Sequence, residues 1–203
     1  MKKILERFLI YTLVIFAVAV SLPIVIEYGD IVVFAEGGPI EWLQLTLLMI
    51  AAGFLLSNAL FRKGEFRELF CLLALALLSA VSRELDSTLN RYLSMGGWGV
   101  PVAACAITGT LLFWRRADAL MPQVRQFVGT RAFALMWCGF IVAVPYSQLV
   151  GHGKFLELLM GDDYVRNYKR VIEELGELLG YLLLLIGSLE AVCQQKENDD
   201  AHV

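Results

Sequence analysis

Residues 170–192 read RVIEELGELLGYLLLLIGSLEAV. The run is apolar enough for lipid, yet it carries Glu173, Glu174 and Glu177 within its first turns. At about 100° per residue, Glu173, Glu177, Tyr181, Leu184 and Ser188 share one arc of a helix, with Glu174 at its edge. Gly176, Gly180 and Gly187 line the adjacent arc. Gly176-x-x-x-Gly180 is the small-residue spacing that lets two membrane helices approach closely. The pattern predicts a membrane helix that seats its glycine ridge on a neighbouring helix, a membrane-protein partner or a second copy of the chain. Its carboxylates are then aimed into a bundle.

The rest of the chain agrees with an all-α, polytopic membrane protein. Of its 203 residues 58% are hydrophobic and only 18% charged, and the mean hydropathy is +0.66. The charges bunch between long apolar runs, and a membrane span needs about 20 largely apolar residues. A net charge of −3 gives no basis for binding nucleic acid. Cys71, Cys105, Cys138 and Cys193 fall singly in separate apolar runs, so they read as small buried hydrophobes rather than a disulfide or metal framework.

Six spans are expected, at about 8–26, 41–61, 66–85, 99–114, 133–150 and 172–193, followed by a polar tail at 194–203. The first follows Lys2, Lys3 and Arg7; its apolar core is longer than that of a signal peptide and no clear cleavage site follows it. In the third, the purely apolar part from Leu69 to Val81 is too short to cross alone, so the crossing draws in Arg83, Glu84 and Leu85. Pro145 is expected to bend the fifth span near its end. A basic connection is expected after Trp114, with Phe127 and Val128 on the membrane surface, and a long loop over 151–168.

The placement of Lys and Arg sets the orientation. With a cytoplasmic N-terminus, 11 of the 17 lie on the cytoplasmic side, Arg62, Lys63, Arg115, Arg116 and Arg131 among them; Arg83, Arg91 and Lys169 are on the other. Both termini are thus expected in the cytoplasm, in a bacterial-type inner membrane. Glu41 at the start of span 2, Arg83, Glu84 and Asp86 at the end of span 3, and Glu173, Glu174 and Glu177 in span 6 then lie at one outward-facing depth. Tyr146, Ser147, Gln148 and His152, at the end of span 5, join them.

Charge inside a span costs roughly 3 kcal/mol per group and points to function. Helix N-termini favour carboxylates, which also accounts for Glu41, Glu173 and Glu174. Glu177 lies deeper. Glu84 and Asp86 sit at a helix C-terminus, where the dipole disfavours anions and a partner is required; Arg83 or a cation would serve.

The first functional expectation is a divalent-cation site built from Glu41, Glu84, Glu173, Glu174 and Glu177, with His152 as a sixth candidate ligand. All-oxygen ligands suit Mg²⁺, Mn²⁺ or Ca²⁺. Zinc held by several histidines lacks the supply, since His152 and His202 are the only two. The metal would assist hydrolysis or transfer on a lipid or lipid-linked substrate, with Glu84 and Glu177 catalytic and Arg83 on the head group. The alternatives are a non-catalytic membrane assembly partner and a small proton- or cation-coupled transporter. Hydrolase, kinase-type and zinc-protease signatures such as G-x-S-x-G, the Walker loop and H-E-x-x-H are absent from the sequence.

Overall fold

A computed structural model describes residues 2–28, 31–35, 37–61, 64–86, 89 and 97–201. Among these the chain is all-helical and contains no strand. Its helices are α1 (Lys2–Tyr28), α2 (Pro39–Phe61), α3 (Arg67–Glu84), α4 (Gly99–Val128), α5 (Arg131–Val150), α6 (Gly153–Met160) and α7 (Arg166–Ala201). Four of them, α1, α2, α5 and α7, are long and apolar enough to cross a membrane. The shorter α3 carries a charged pair at each end, Arg67–Glu68 and Arg83–Glu84, and the apolar run of α4 ends at Arg115.

α7 is the axis of the bundle, and α2 and α5 pack along it. Lipid supplies no hydrophobic drive between helices, so close packing must come from small residues. The interfaces are built that way. Ala51, Ala52 and Ala59 of α2 and Ala74 of α3 are buried, and Gly139 of α5 faces the backbone of α7 at Gly180 and Leu184. A Cβ on Gly180 would strike the backbone of Ala143, one on Gly176 would reach Ser147, and one on Gly187 would meet Met136. The glycine ridge expected from the sequence is therefore real, and α5 of the same chain fills it. A second copy has no access to it in this packing.

Three local expectations change. α4 does not stop at Trp114 but continues to Val128 through a kink at Arg116 (φ −129°, ψ 19°). The turned segment lies on α3, where Gln123 accepts from the Leu69 N–H (3.0 Å) and donates to Glu68 (2.7 Å). Phe127 is consequently buried rather than on a membrane surface, while Val128 is exposed. The stretch 151–168 contains α6, closed by Gly161 at φ +57°, a left-handed conformation that favours glycine. The tail beyond Gln194 continues α7 to Ala201. Pro145 does perturb α5, within a π-helical turn over Val142–Tyr146; wider turns of this kind often mark functional sites. Arg62, Lys63, Arg91 and His202 lie outside the described residues.

At one end of the bundle, α1, α7 and the α4–α5 turn meet. Glu190 of α7 is fully buried. Tyr11 donates to it at 3.0 Å, Gln194 at 3.1 Å, and it pairs with Arg131 at 3.3 Å and Arg7 at 3.5 Å. Arg7 also reaches Glu197 at 2.8 Å. These contacts carry much of the attachment of α1, since none of its Ile4–Ser21 segment is buried.

Candidate functional site

Thirteen residues along α7 from Glu190 stands Glu177, about 20 Å away at the helical rise. It lies at the opposite polar end, where α2, α3, α5 and α7 come together. Each helix delivers its residue for a local reason. Glu41 is in the first turn of α2, where the dipole favours an acid, and it accepts from the Gly37 N–H at 2.6 Å. Gly37 itself has φ +73°. Arg83 and Glu84 close α3. Gln148 follows the π-helical turn of α5.

These residues line one cavity of about 410 Å³, shared by Glu41, Arg83, Glu84, Asp86, Gln148, Glu173, Glu174 and Glu177. Six carboxylates and one guanidinium therefore face the same space. All of the acidic residues expected from the sequence are brought together here. His152 does not line this cavity: it is exposed at the start of α6, in an adjoining hollow with Lys154 and Glu157 that shares Gln148 and Glu173 with it.

The central contact is Arg83 Nη2 to Glu177 Oε1, at 2.6 Å. Glu84 Oε1 is 3.5 Å from the same nitrogen and accepts from the Tyr181 hydroxyl at 2.6 Å. Gln148 makes a longer contact to Glu177 at 3.5 Å. Tyr181 and Glu177 are buried, whereas the Arg83 side chain is 41% exposed. This answers the question posed by an acid at a helix C-terminus: a guanidinium and a phenol hold Glu84 in place of the unfavourable dipole. Among the described residues, the hydrogen bond and ion pairs of Arg83 all use Nη2, and its side chain is 41% exposed and borders the cavity.

The remaining acids have their own partners. Gln44, fully buried in α2, donates through Nε2 to the Glu174 carboxylate (2.9 Å) and to its backbone carbonyl (3.0 Å). Among the described residues, its buried Oε1 has no hydrogen-bond partner. Glu173 pairs with Lys169 one turn away at 3.3 Å. Among the described residues, no three His, Cys, Asp or Glu side chains are gathered closely enough to hold a metal ion.

Arg83 and Tyr181 also line a second cavity, and this one is apolar. It measures about 380 Å³ and runs between α3 and α5 over Leu73, Ala76, Leu77, Ala80, Met136 and Phe140. Trp137, Phe140 and Val144 are exposed along its rim. The sequence gives no direct sign of this groove, because it depends on the separation of two helices. The stripe Leu73, Ala76/Leu77, Ala80 and Arg83, spaced three and four apart, is the one trace of it. Gln44 has a sequence signal of its own, an amide in an apolar helix three residues after Glu41. No family model, curated protein or solved structure compared with the chain matches it.

Proposed function

We propose that the chain is a six-span inner-membrane protein, with both termini cytoplasmic, that binds a lipid or lipid-linked molecule at its outward-facing end. The observation that carries this is the position of Arg83. One guanidinium borders a charged pocket on one side and an apolar groove on the other. A phosphate-bearing head group would engage the exposed part of Arg83, whose planar fork suits phosphate oxygens, and its acyl chain would lie in the groove. An excess of carboxylates around that point favours a head group that also carries an amine, such as an aminophospholipid. The gathering of Arg7, Arg131, Glu190 and Glu197 at one end of the bundle supports both termini lying on one side. That end holds the basic segments expected in the cytoplasm.

Metal-assisted hydrolysis or transfer shares this substrate but asks more of the site. Glu84 and Glu177 would have to exchange Arg83 and Tyr181 for an ion, and the other acids would have to close in. Lipid recognition needs no such rearrangement, so it is the function the geometry supports best.

The test is binding to the purified protein. After delipidation, native mass spectrometry with added phosphatidylethanolamine should show a retained lipid in the wild type. Arg83→Ala should lose at least tenfold in affinity, on the scale of a charge-assisted hydrogen-bonded pair of about 1.5–3 kcal/mol. Equal retention by wild type and Arg83→Ala would end the proposal. Added Mg²⁺, Mn²⁺ or Ca²⁺ should leave the melting temperature unchanged. A rise that Glu84→Gln and Glu177→Gln abolish would move the conclusion to metal chemistry.

A further inference from the structure

At its far end from Arg83, the apolar groove is bordered by Phe127 and Phe133. Phe127 also lines a third cavity, of about 380 Å³, at the Glu190 end of the bundle. Beyond Phe127 the lining is mixed: Phe66 and Phe70 stand beside Gln126, Arg131, Gln194 and Glu197. One phenyl ring thus stands between the groove and a polar chamber. It is 5% exposed and is held edge-on from two sides, by Phe66 (centroids 6.1 Å apart, 62° between planes) and Phe133 (6.0 Å, 81°). A ring gripped on two flanks is a rigid stop.

We infer that Phe127 is a specificity-determining residue: it forms the floor of the groove and sets the length of the acyl chain that the site accepts. The inference rests on the lipid-binding reading above. The dimensions fit a single chain. From Phe133 to Val144 the groove follows α5 for eleven residues, about 16 Å at the helical rise, close to half of a hydrocarbon core of about 30 Å. At about 30 Å³ for a group the size of water, the volume of about 380 Å³ holds on the order of a dozen methylenes. Counted from monomeric lysolipid in water, below its micelle concentration, each methylene buried is worth about 0.8 kcal/mol, or roughly fourfold in affinity. Affinity should therefore climb with chain length until the terminal methyl meets Phe127, and then stop climbing or fall.

The experiment uses the full chain, delipidated, and a series of lysophosphatidylethanolamines that differ only in acyl-chain length, with binding read by native mass spectrometry. The wild type should show an optimum at on the order of a dozen carbons. Phe127→Ala opens the floor toward Phe66 and Phe70, and a chain two methylenes beyond the wild-type optimum should gain on the order of tenfold relative to wild type. Ala76→Leu fills the groove about 10 Å below Arg83 at an exposed position, and should move the optimum to shorter chains. If Phe127→Ala does not fold, Ala76→Leu decides. Binding by wild type with an unchanged length profile in the folded variants overturns the role of Phe127 and leaves the lipid site standing. Absence of any bound lysolipid in the wild type overturns the lipid reading itself.

Discussion

Arg83 Nη2 lies 2.6 Å from Glu177 Oε1 and ties the end of α3 to the middle of α7. The pair is asymmetric, since the Glu177 side chain is 8% exposed and that of Arg83 41%. Losing the arginine strands a buried carboxylate, whereas losing the carboxylate leaves a guanidinium that can turn to water and to Glu84. Arg83→Ala should therefore destabilise the protein more than Glu177→Gln does. The coupling energy in a double-mutant cycle should be about 1–2 kcal/mol, below the value for a fully buried pair because Arg83 is partly screened. Thermal unfolding of the four proteins in one detergent measures it. A coupling energy near zero would mean that Glu177 gains nothing from Arg83, and equal losses from the two single variants would remove the asymmetry.

Tyr181→Phe removes one hydroxyl and nothing else from the site. Among the described residues, Glu84 then keeps only its contact to Arg83 at 3.5 Å. The expected loss is about 1–3 kcal/mol, the cost of leaving a buried acceptor short of a donor. Because Tyr181 also borders the apolar groove, lipid binding should weaken only slightly, the ring being retained. A large fall in lipid binding at unchanged stability would instead place the hydroxyl against the ligand.

The convergence of Glu41, Glu84, Glu173, Glu174 and Glu177 was readable in the sequence because charge in an apolar span is costly and must be grouped with other polar groups. The helical period then fixed which face of α7 would carry it. The glycine spacing likewise announced a close neighbour, though not that the neighbour would be α5. Other features had no local signal. Arg115 and Arg116 read as the end of a span, but arginine is a good helix former, so α4 runs on through its kink and buries Phe127. Glu190, near the end of the last span, has no nearby cation in sequence to announce its network, because its partners Arg7 and Arg131 come from distant parts of the chain. His152 stands at the start of α6 in an adjoining hollow that shares Gln148 and Glu173 with the acidic cavity, so its neighbourhood to the acids was legible but its place beside rather than within the cavity was not.

Gly180 tests the packing of α5 on α7. An added methyl would collide with the Ala143 backbone, which cannot give way as a flexible side chain would. Gly180→Ala should cost about 1–3 kcal/mol as an overpacking change, despite the better helix propensity of alanine. Gly53→Ala, where the added carbon meets nothing within 4 Å, should be neutral or gain up to about 1 kcal/mol. The two variants share their chemistry and differ only in surroundings. Similar melting temperatures for both would rule out the close approach of the two helices.

Glu190 should control the attachment of α1. Its carboxylate is fully buried and meets Arg7 and Tyr11 from α1 and Arg131 from α5. Glu190→Ala leaves Arg7 and Arg131 without their shared anion; Arg131 is 39% exposed and Arg7 keeps Glu197, so a loss of about 1–3 kcal/mol is expected rather than that of a fully buried pair. Glu190→Gln keeps the shape and the acceptor for Tyr11 but removes the charge, so a smaller loss is expected. Among the described residues Val18 packs against the cluster of Phe34, Ile40 and Leu178, but no residue of Ile4–Ser21 is buried, so local release should precede unfolding of the bundle. A cysteine placed at Tyr11 would be disabling in itself, so Thr12→Cys, at an exposed position, is the better reporter of motion. Hydrogen exchange over α1 should rise in Glu190→Ala while exchange over α2 and α5 stays at the wild-type level, and a thiol at position 12 should change its reactivity in parallel. Uniform acceleration across all helices would show instead that Glu190 supports the whole bundle and that α1 has no separate attachment.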